Sequence, residues 1–265
     1  LILILALAAA TAQDRRPRID VEHYDIKDEI QPRTQAMTAL ATVRFVPLED
    51  VSSAVFELNN GLNVSRVTAE NNEEIPATRF QQDFTVRLSF PSPLPKGKPA
   101  AVTFAYDGRL TGLENSPVEG VDFGVIGAAR SFLLYPARWF PVNGYTADRF
   151  SAELVITAPS TLNVVASGLH TTAPGSDGKT VHTFRYERPS FPGSIALVST
   201  RPDQVTSEGI TTTLYFRGDE KEQANAYGEA TGAIIKYFST LFDLPPSASL
   251  TIVETEEHAP NGYAG

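Results

Sequence analysis

Between Ile19 and Phe216 the sequence reads as short runs in which apolar residues recur at every second position, separated by turns, and only after Gly218 does the spacing lengthen. A period of two puts alternate side chains on opposite faces of an extended strand, whereas spacings of three and four put them on one face of a helix. The chain is therefore constrained to a β-rich body followed by a single long helix. Val21 to Ile26, Leu40 to Val46, Ala54 to Leu58 and Ala101 to Tyr106 all read as strands. So do the stretch carrying Leu62, Val64 and Val67 and the run Phe84, Val86, Leu88, Phe90. Further strands are expected at Arg149 to Ile156, Leu162 to Ala166, Val181 to Tyr186, Ile195 to Val198 and Ile210 to Phe216. Asn59-Asn60-Gly61 marks a turn, and Pro91, Pro93, Pro95 and Gly97 mark a loop. Gly108 to Arg130 has no steady period and reads as an excursion over the surface. Its glycines lack the strand–glycine–helix context of a dinucleotide site. Many short strands with Gly, Pro and Asn punctuation imply an antiparallel sandwich or layered-sheet domain.

The helix begins at Gly218-Asp219-Glu220-Lys221-Glu222, where Asp219 and Glu222 have the form of a capping box. Ala224, Tyr227, Thr231, Ile234, Phe238 and Leu241 share one face, and Ile235 and Phe242 widen it. A stripe of that width predicts packing against the following strand or the β body. The helix ends at Phe242, is broken by Pro245-Pro246, and leads to a strand over Leu250 to Glu254 and a terminal loop, Pro260-Asn261-Gly262-Tyr263-Ala264-Gly265. The change from β to β/α predicts three parts: residues 1–12, a β domain over 13–217, and the opening elements of a second, truncated domain over 218–265.

At 265 residues and 42% hydrophobic content the chain has enough material for a well-buried core. A formal net charge of -9 argues against nucleic-acid binding, which needs clustered Lys and Arg. The absence of cysteine excludes disulfides, thiolate zinc sites and a cysteine nucleophile within these residues. Leu1 to Ala10 is almost wholly apolar, and Ala10-Thr11-Ala12 has the small-x-small form of a signal-peptidase site. The run is shorter than the roughly 20 residues a membrane span requires. It reads as the remnant of a signal peptide, implying export to the periplasm or beyond; a buried strand or helix is the other reading.

Two segments carry a family likeness. The first is Tyr135-Pro136-Ala137-Arg138-Trp139-Phe140-Pro141, followed by the strand from Asp148 to Ile156, a Pro159 turn and Val164-Val165-Ala166-Ser167-Gly168. It resembles the Ala-Arg-x-x-Phe-Pro segment and the strand and turn after it in the β domain of the aminopeptidase N family of zinc metallopeptidases (gluzincins). Phe191 to Leu197 stands where such proteins have their next edge strand. The second is the final helix, Pro-Pro, strand and glycine loop, which resembles the entry to the family's thermolysin-like catalytic domain. The resemblance implies a saddle-like antiparallel β-sandwich domain, then one long helix and a strand of a truncated α/β catalytic domain. It implies a parent that hydrolyses peptides with zinc-activated water, the metal being held by an H-E-x-x-H helix and a downstream Glu. Of His23, His170, His182 and His258 no two stand four residues apart, so no catalytic residue, metal ligand or cofactor is expected in this fragment.

The family's Gly-Ala-Met-Glu-Asn loop supplies a Glu that binds the substrate's free amine. By resemblance Gly262, Tyr263, Ala264 and Gly265 are the candidate substrate-binding residues, with Gly265 standing where that Glu would be. A second amine anchor lies five residues before the segment's Arg, which is Leu133 here. Both carboxylate or amide anchors are thus replaced, which implies weak or absent classical aminopeptidase activity or a different substrate preference. It also leaves open a non-catalytic extracytoplasmic binding or scaffold protein of the same architecture. Glu254, Glu256, Glu257 and His258 form a polar strand end, either substrate-contacting or, the favoured reading, a solvated loop. Trp139 is expected as a buried anchor, Arg138 as the partner of an unspecified interior acid, and His170 and His182 as surface residues. Asn63-Val64-Ser65 matches a glycosylation sequon by pattern only.

Overall fold

The computed structural model describes residues 18–112, 116–144, 148–218, 221–243, 249–255 and 258–263. The expected leader at 1–12, the Asp219 cap and the Pro245-Pro246 break lie outside these residues. Two long strands come first, β1 (Ile19–Gln31) and β2 (Ala36–Pro47). After them the chain alternates between layers through β3 (Val51–Glu57), β4 (Leu62–Ala69), β5 (Ala77–Phe80), β6 (Thr85–Leu94) and β7 (Ala100–Arg109). The short strands β8 (Gly124–Ile126) and β9 (Arg130–Leu133) precede β10 (Phe150–Pro159), β11 (Asn163–Ala166), β12 (Leu169–Pro174), β13 (Lys179–Ser190) and β14 (Ile195–Val198). The last elements are β15 (Asp203–Ser207), β16 (Ile210–Tyr215), the helix α1 (Lys221–Phe242) and β17 (Ser249–Val253).

A seven-stranded sheet in the order β12-β13-β10-β1-β2-β7-β4 forms the main layer. It packs with a three-stranded sheet, β3-β6-β5, and a four-stranded sheet, β11-β14-β9-β8, around one core. The mainly β class, with one α-helix among the described residues, is as the sequence implies. Not every strand pair is antiparallel, however: β1 runs parallel to β10, and β16 parallel to β17. Both parallel pairs are separated by long stretches of chain, as a crossover connection requires.

The alternating pattern maps onto this core with local shifts. On β2, Ala41, Val43 and Phe45 are buried as predicted. On β1 the alternation changes phase, since Val21 and Tyr24 are both buried. A bulge at Glu22 supplies the extra residue, and the Val21 N–H bonds to Asp148 Oδ2 at 2.7 Å. β6 continues through Pro91 and Pro93, where a loop was expected. The register jumps from Ser53–Ser89 to Val51–Leu94, so both prolines lie in the irregular stretch, where the β3 ladder needs no N–H from them. Phe84 is not part of that strand; it closes the preceding turn with φ 55°. The Gly108 to Arg130 stretch is more than a surface excursion, because it contains β8 and places Leu110 and Ile126 in the core.

The Tyr135 to Pro141 segment joins the layers. Trp139 is fully buried and its indole N–H donates to the Gly193 carbonyl at 2.6 Å. The Tyr24 ring meets Phe150 at 4.6 Å and Phe140 at 5.2 Å, both edge-on. Gly193 has φ +126°, and a Cβ there would stand 2.6 Å from Phe140 Cε1, so only glycine fits. The acid that pairs with Arg138 is Glu57 at the end of β3, which receives a hydrogen bond from Arg138 Nε.

Helix α1 lies on β15 and β16, in the sheet β15-β16-β17. That sheet straddles the Arg217–Gly218 point in the sequence. The contact face matches the predicted one only in part, at Ala224 and Thr231. Ala224, Gly228, Thr231 and Gly232 are buried, while Tyr227, Ile234, Tyr237, Phe238, Leu241 and Phe242 are 48 to 63% exposed. A Cβ on Gly228 would sit 2.3 Å from Val205 Cβ, and one on Gly232 would sit 2.5 Å from the Ser207 carbonyl oxygen. The helix thus docks through its small residues, because only they allow its backbone this close to β15.

Candidate functional site

A cleft of about 970 Å³ opens between the four-stranded sheet and the C-terminal elements. One wall is built by β9 and β14. β9 is buried on both faces, and consecutive residues point to opposite sides. Phe132 and Leu134 line the cleft, whereas Leu133 is fully buried in the main core. Leu133, expected at the second anchor position, is therefore turned away from the cleft. Only Trp139 stands between Arg138 and Phe140, where the family segment has two residues, so the anchor position falls on Leu133 when counted from Arg138 and on Phe132 when counted from Phe140. Ile195 and Ala196 of β14 and Val165 of β11 complete this wall.

The opposite wall is Ile252, Glu254 and the terminal loop, with Phe216 and Tyr227 beside it. The Phe216 and Tyr227 rings lie 5.2 Å apart, which carries one end of α1 to the cleft. Of the four candidate residues, Gly262 and Tyr263 line the cleft. Ala264 and Gly265 fall outside the described residues. The loop is held to the β body by a hydrogen bond from the Asp122 N–H to the His258 carbonyl at 2.8 Å. Burial raises the pKa of the Asp122 carboxyl, and the nearby His258 partly offsets that rise.

Glu254 is a fixed group and not a solvated loop side chain. It accepts hydrogen bonds from the Arg217 backbone N–H at 2.6 Å and from Arg217 Nε at 2.9 Å, tying the end of β16 to the end of β17. Burial pushes its pKa up, but the Arg217 hydrogen bonds and charge, with Arg130 further off, outweigh this and hold it below the usual carboxylate value. Glu254 is the one charged side chain among the described residues lining the cleft. Glu256 and Glu257 fall outside those residues. The lining is otherwise apolar or neutral, suited to an apolar group and to backbone hydrogen bonding along the edge of β17.

The described residues contain no group of three or more His, Cys, Asp or Glu able to hold a metal ion. They do not fit a catalytic zinc, so no step of a zinc mechanism is assigned to them. Two histidines do meet elsewhere: His170 Nε2 lies 3.1 Å from His182 Nδ1 across β12 and β13. His182 is only 7% exposed, contrary to its expected surface position, since it lies on the core face opposite Ile156. Among the described residues no helix is long and apolar enough to cross a membrane.

The architecture is shared with solved structures of one class of enzyme. An M1 zinc metallopeptidase mutant from Deinococcus radiodurans, bound to a Tyr-Ser-Ala substrate, superposes with a TM-score of 0.71 at 20% identity, over 90% of this chain and 56% of that one. The same organism's M1 zinc metallopeptidase without that mutation gives 0.69 at 19% identity, over 89% and 56%. A two-domain M1 zinc metallopeptidase mutant bound to L-tryptophan gives 0.68 at 21% identity, over 90% and 57%. No protein-family model matches the chain, and no curated protein matches it. The fold is that of the N-terminal part of an M1 zinc metallopeptidase. The chain spans a little over half the length of these structures.

Proposed function

We propose that this chain is part of an exported zinc metallopeptidase of the aminopeptidase N type, contributing the β domain and the first elements of the catalytic domain. The observation that carries this reading is the cleft itself. In a chain with the M1 fold, the wall of β9 and β14 faces β17 and the loop bearing Gly262 and Tyr263. A peptide lying in it would have β17 as a hydrogen-bonding edge and Phe132 and Leu134 against its side chains. The exposed apolar face of α1 is, in this reading, the surface on which the rest of the catalytic domain packs. Zinc and the water-activating residues would come from that remainder.

The test is zinc content and aminoacyl-anilide hydrolysis by the natural gene product, with and without chelator. Chelator-sensitive release of single residues supports the proposal. A metal-free product with no hydrolysis overturns it in favour of a non-catalytic binding or scaffold protein. That second reading is favoured by two observations: apolar Phe132 and Leu134 face the cleft on the wall of β9, and Glu254 is engaged by Arg217. Export is tested by the mass of the mature protein, which removal of residues 1–12 would lower.

A further inference from the structure

The core of the seven-stranded sheet encloses an acid that the fold leaves without a partner. The core face of β1 reads Tyr24, Ile26, Asp28, Ile30, so Asp28 occupies a position flanked by aliphatic residues. Asp28 is 3% exposed, and neither of its carboxyl oxygens has a hydrogen-bond partner. The strand register places it in one row across the sheet: His182 on β13, Ile156 on β10, Asp28, Ala39 on β2 and Tyr106 on β7. Tyr106 is also buried with an unpartnered hydroxyl, and the buried Tyr24 lies two positions further along the same face.

The titratable groups on the core face around Asp28 are Tyr106 from β7, His182 from β13 and Tyr24 from β1, while β2 and β10 present Ala39 and Ile156; Glu29 and the exposed Lys27 and Asp107 share with Asp28 the lining of a cavity of about 430 Å³ on the same sheet. Glu29 lies on the outer face and is ion-paired with Lys179 at 2.6 Å. Burial and the neighbouring His170 lower the His182 pKa, which favours its neutral ring. None of the core-face groups brings a positive charge to Asp28 near neutral pH, and Lys27 makes no hydrogen bond to either carboxyl oxygen. A carboxylate enclosed without a cation or donors is strongly disfavoured, and the group avoids the penalty by keeping its proton.

We propose that Asp28 is a pH sensor built into the centre of β1: its neutral form is accommodated beside Ile26, Ile30 and Ile156, and its ionisation as pH rises loosens β1 from β2 and β10. Burial, and secondarily the negative Glu29, push its pKa well above the ordinary carboxylate value. A carboxyl raised in the folded state gives a domain most stable below the unfolded pKa. Stability then falls as pH rises from about 4 towards the folded-state pKa, tenfold in the unfolding constant per pH unit for one proton. His170 and His182, both lowered by burial, act in the opposite sense below about pH 6.5. Their contribution cancels when wild type is compared with Asp28→Asn at each pH.

The experiment measures the unfolding constant by urea titration from pH 4 to 9 for both proteins, together with the ¹³Cγ chemical shift of Asp28 in the wild type. The expected result is a wild-type to Asp28→Asn ratio that climbs about tenfold per pH unit from about pH 4. The Asp28 carbon should titrate far above its usual range, and amide exchange at Ile26 and Ile30 should accelerate beyond its intrinsic pH dependence. A ratio constant across pH, or a carbon titrating in the ordinary carboxylate range, overturns the proposal. If Asp28→Asn does not fold, the carbon titration of the wild type decides alone.

Discussion

Replacing Gly228 by alanine sets two effects of known size against each other. In an exposed helix interior the change stabilises by about 1 kcal/mol, because glycine has more backbone freedom to lose. In this helix the new Cβ would lie 2.3 Å from Val205 Cβ and 2.5 and 2.9 Å from its two γ-carbons. Rotating Val205 moves its γ-carbons but leaves its Cβ in place, so the clash is relieved only by lifting α1 from β15. Overpacking of this kind costs about 1–3 kcal/mol. It also separates the buried contacts of Ala224 and Thr231 from the sheet. We expect Gly228→Ala to destabilise docking of α1 by about 1–2 kcal/mol net, a five- to thirtyfold change in the equilibrium. Amide exchange within α1 reads this directly, and Glu229→Ala on the exposed side of the helix should stay within about 0.5 kcal/mol of wild type. Pairing Gly228→Ala with Val205→Gly should recover more than 0.5 kcal/mol in a double-mutant cycle, roughly the least coupling expected of touching residues. A Gly228→Ala protein that is more stable by about 1 kcal/mol, uncoupled from Val205, would refute close packing through the small-residue face.

Three further outcomes are expected. Gly193→Ala should cost about 1–3 kcal/mol and shift the emission of Trp139, the only tryptophan, because the new methyl group displaces Phe140 and the carbonyl that the indole N–H binds. Asp148, raised to about 6 by burial with Asp20 as a like-charged neighbour, lowers stability as pH climbs from about 4 through 6. Asp20→Asn should bring the Asp148 midpoint below about 6 by carboxyl ¹³C NMR, and an unmoved midpoint would remove Asp20 as a contributor. For the His170–His182 pair the sign is reversed: both pKa values are lowered, so stability is full above about pH 6.5 and declines as pH falls through the folded-state values. His182→Leu should flatten that acid limb when urea midpoints are compared at pH 7 and pH 5.

What the sequence discloses here follows from where burial contrasts occur. Alternation is visible on β2 and β10 because one face of each is buried and the other is not. It is invisible on β9, where all four residues are buried, and on β12, where all six are exposed. With no contrast between faces, a period of two leaves no trace. The position of α1 is legible from its apolar spacing, but its docking face is not. Large apolar residues mark a face that needs a partner, whereas the face that meets the sheet adds to Ala224 and Thr231 only Gly228 and Gly232, which read locally as weak points in a helix. The pairing of Arg138 with Glu57 joins residues 81 apart, and the His170–His182 contact crosses two strands, so neither has a local signature. The same holds for the cleft. Gly262 and Tyr263 were singled out by family resemblance, while Phe132 and Leu134, which face them, look like ordinary core residues until the register of β9 turns Leu133 inward and its neighbours outward. A one-residue difference in counting from Arg138 therefore decides which side chain faces the cleft. For that reason substitutions at Phe132 and Leu134, rather than at Leu133, are the ones that should alter ligand selection without unfolding the β domain.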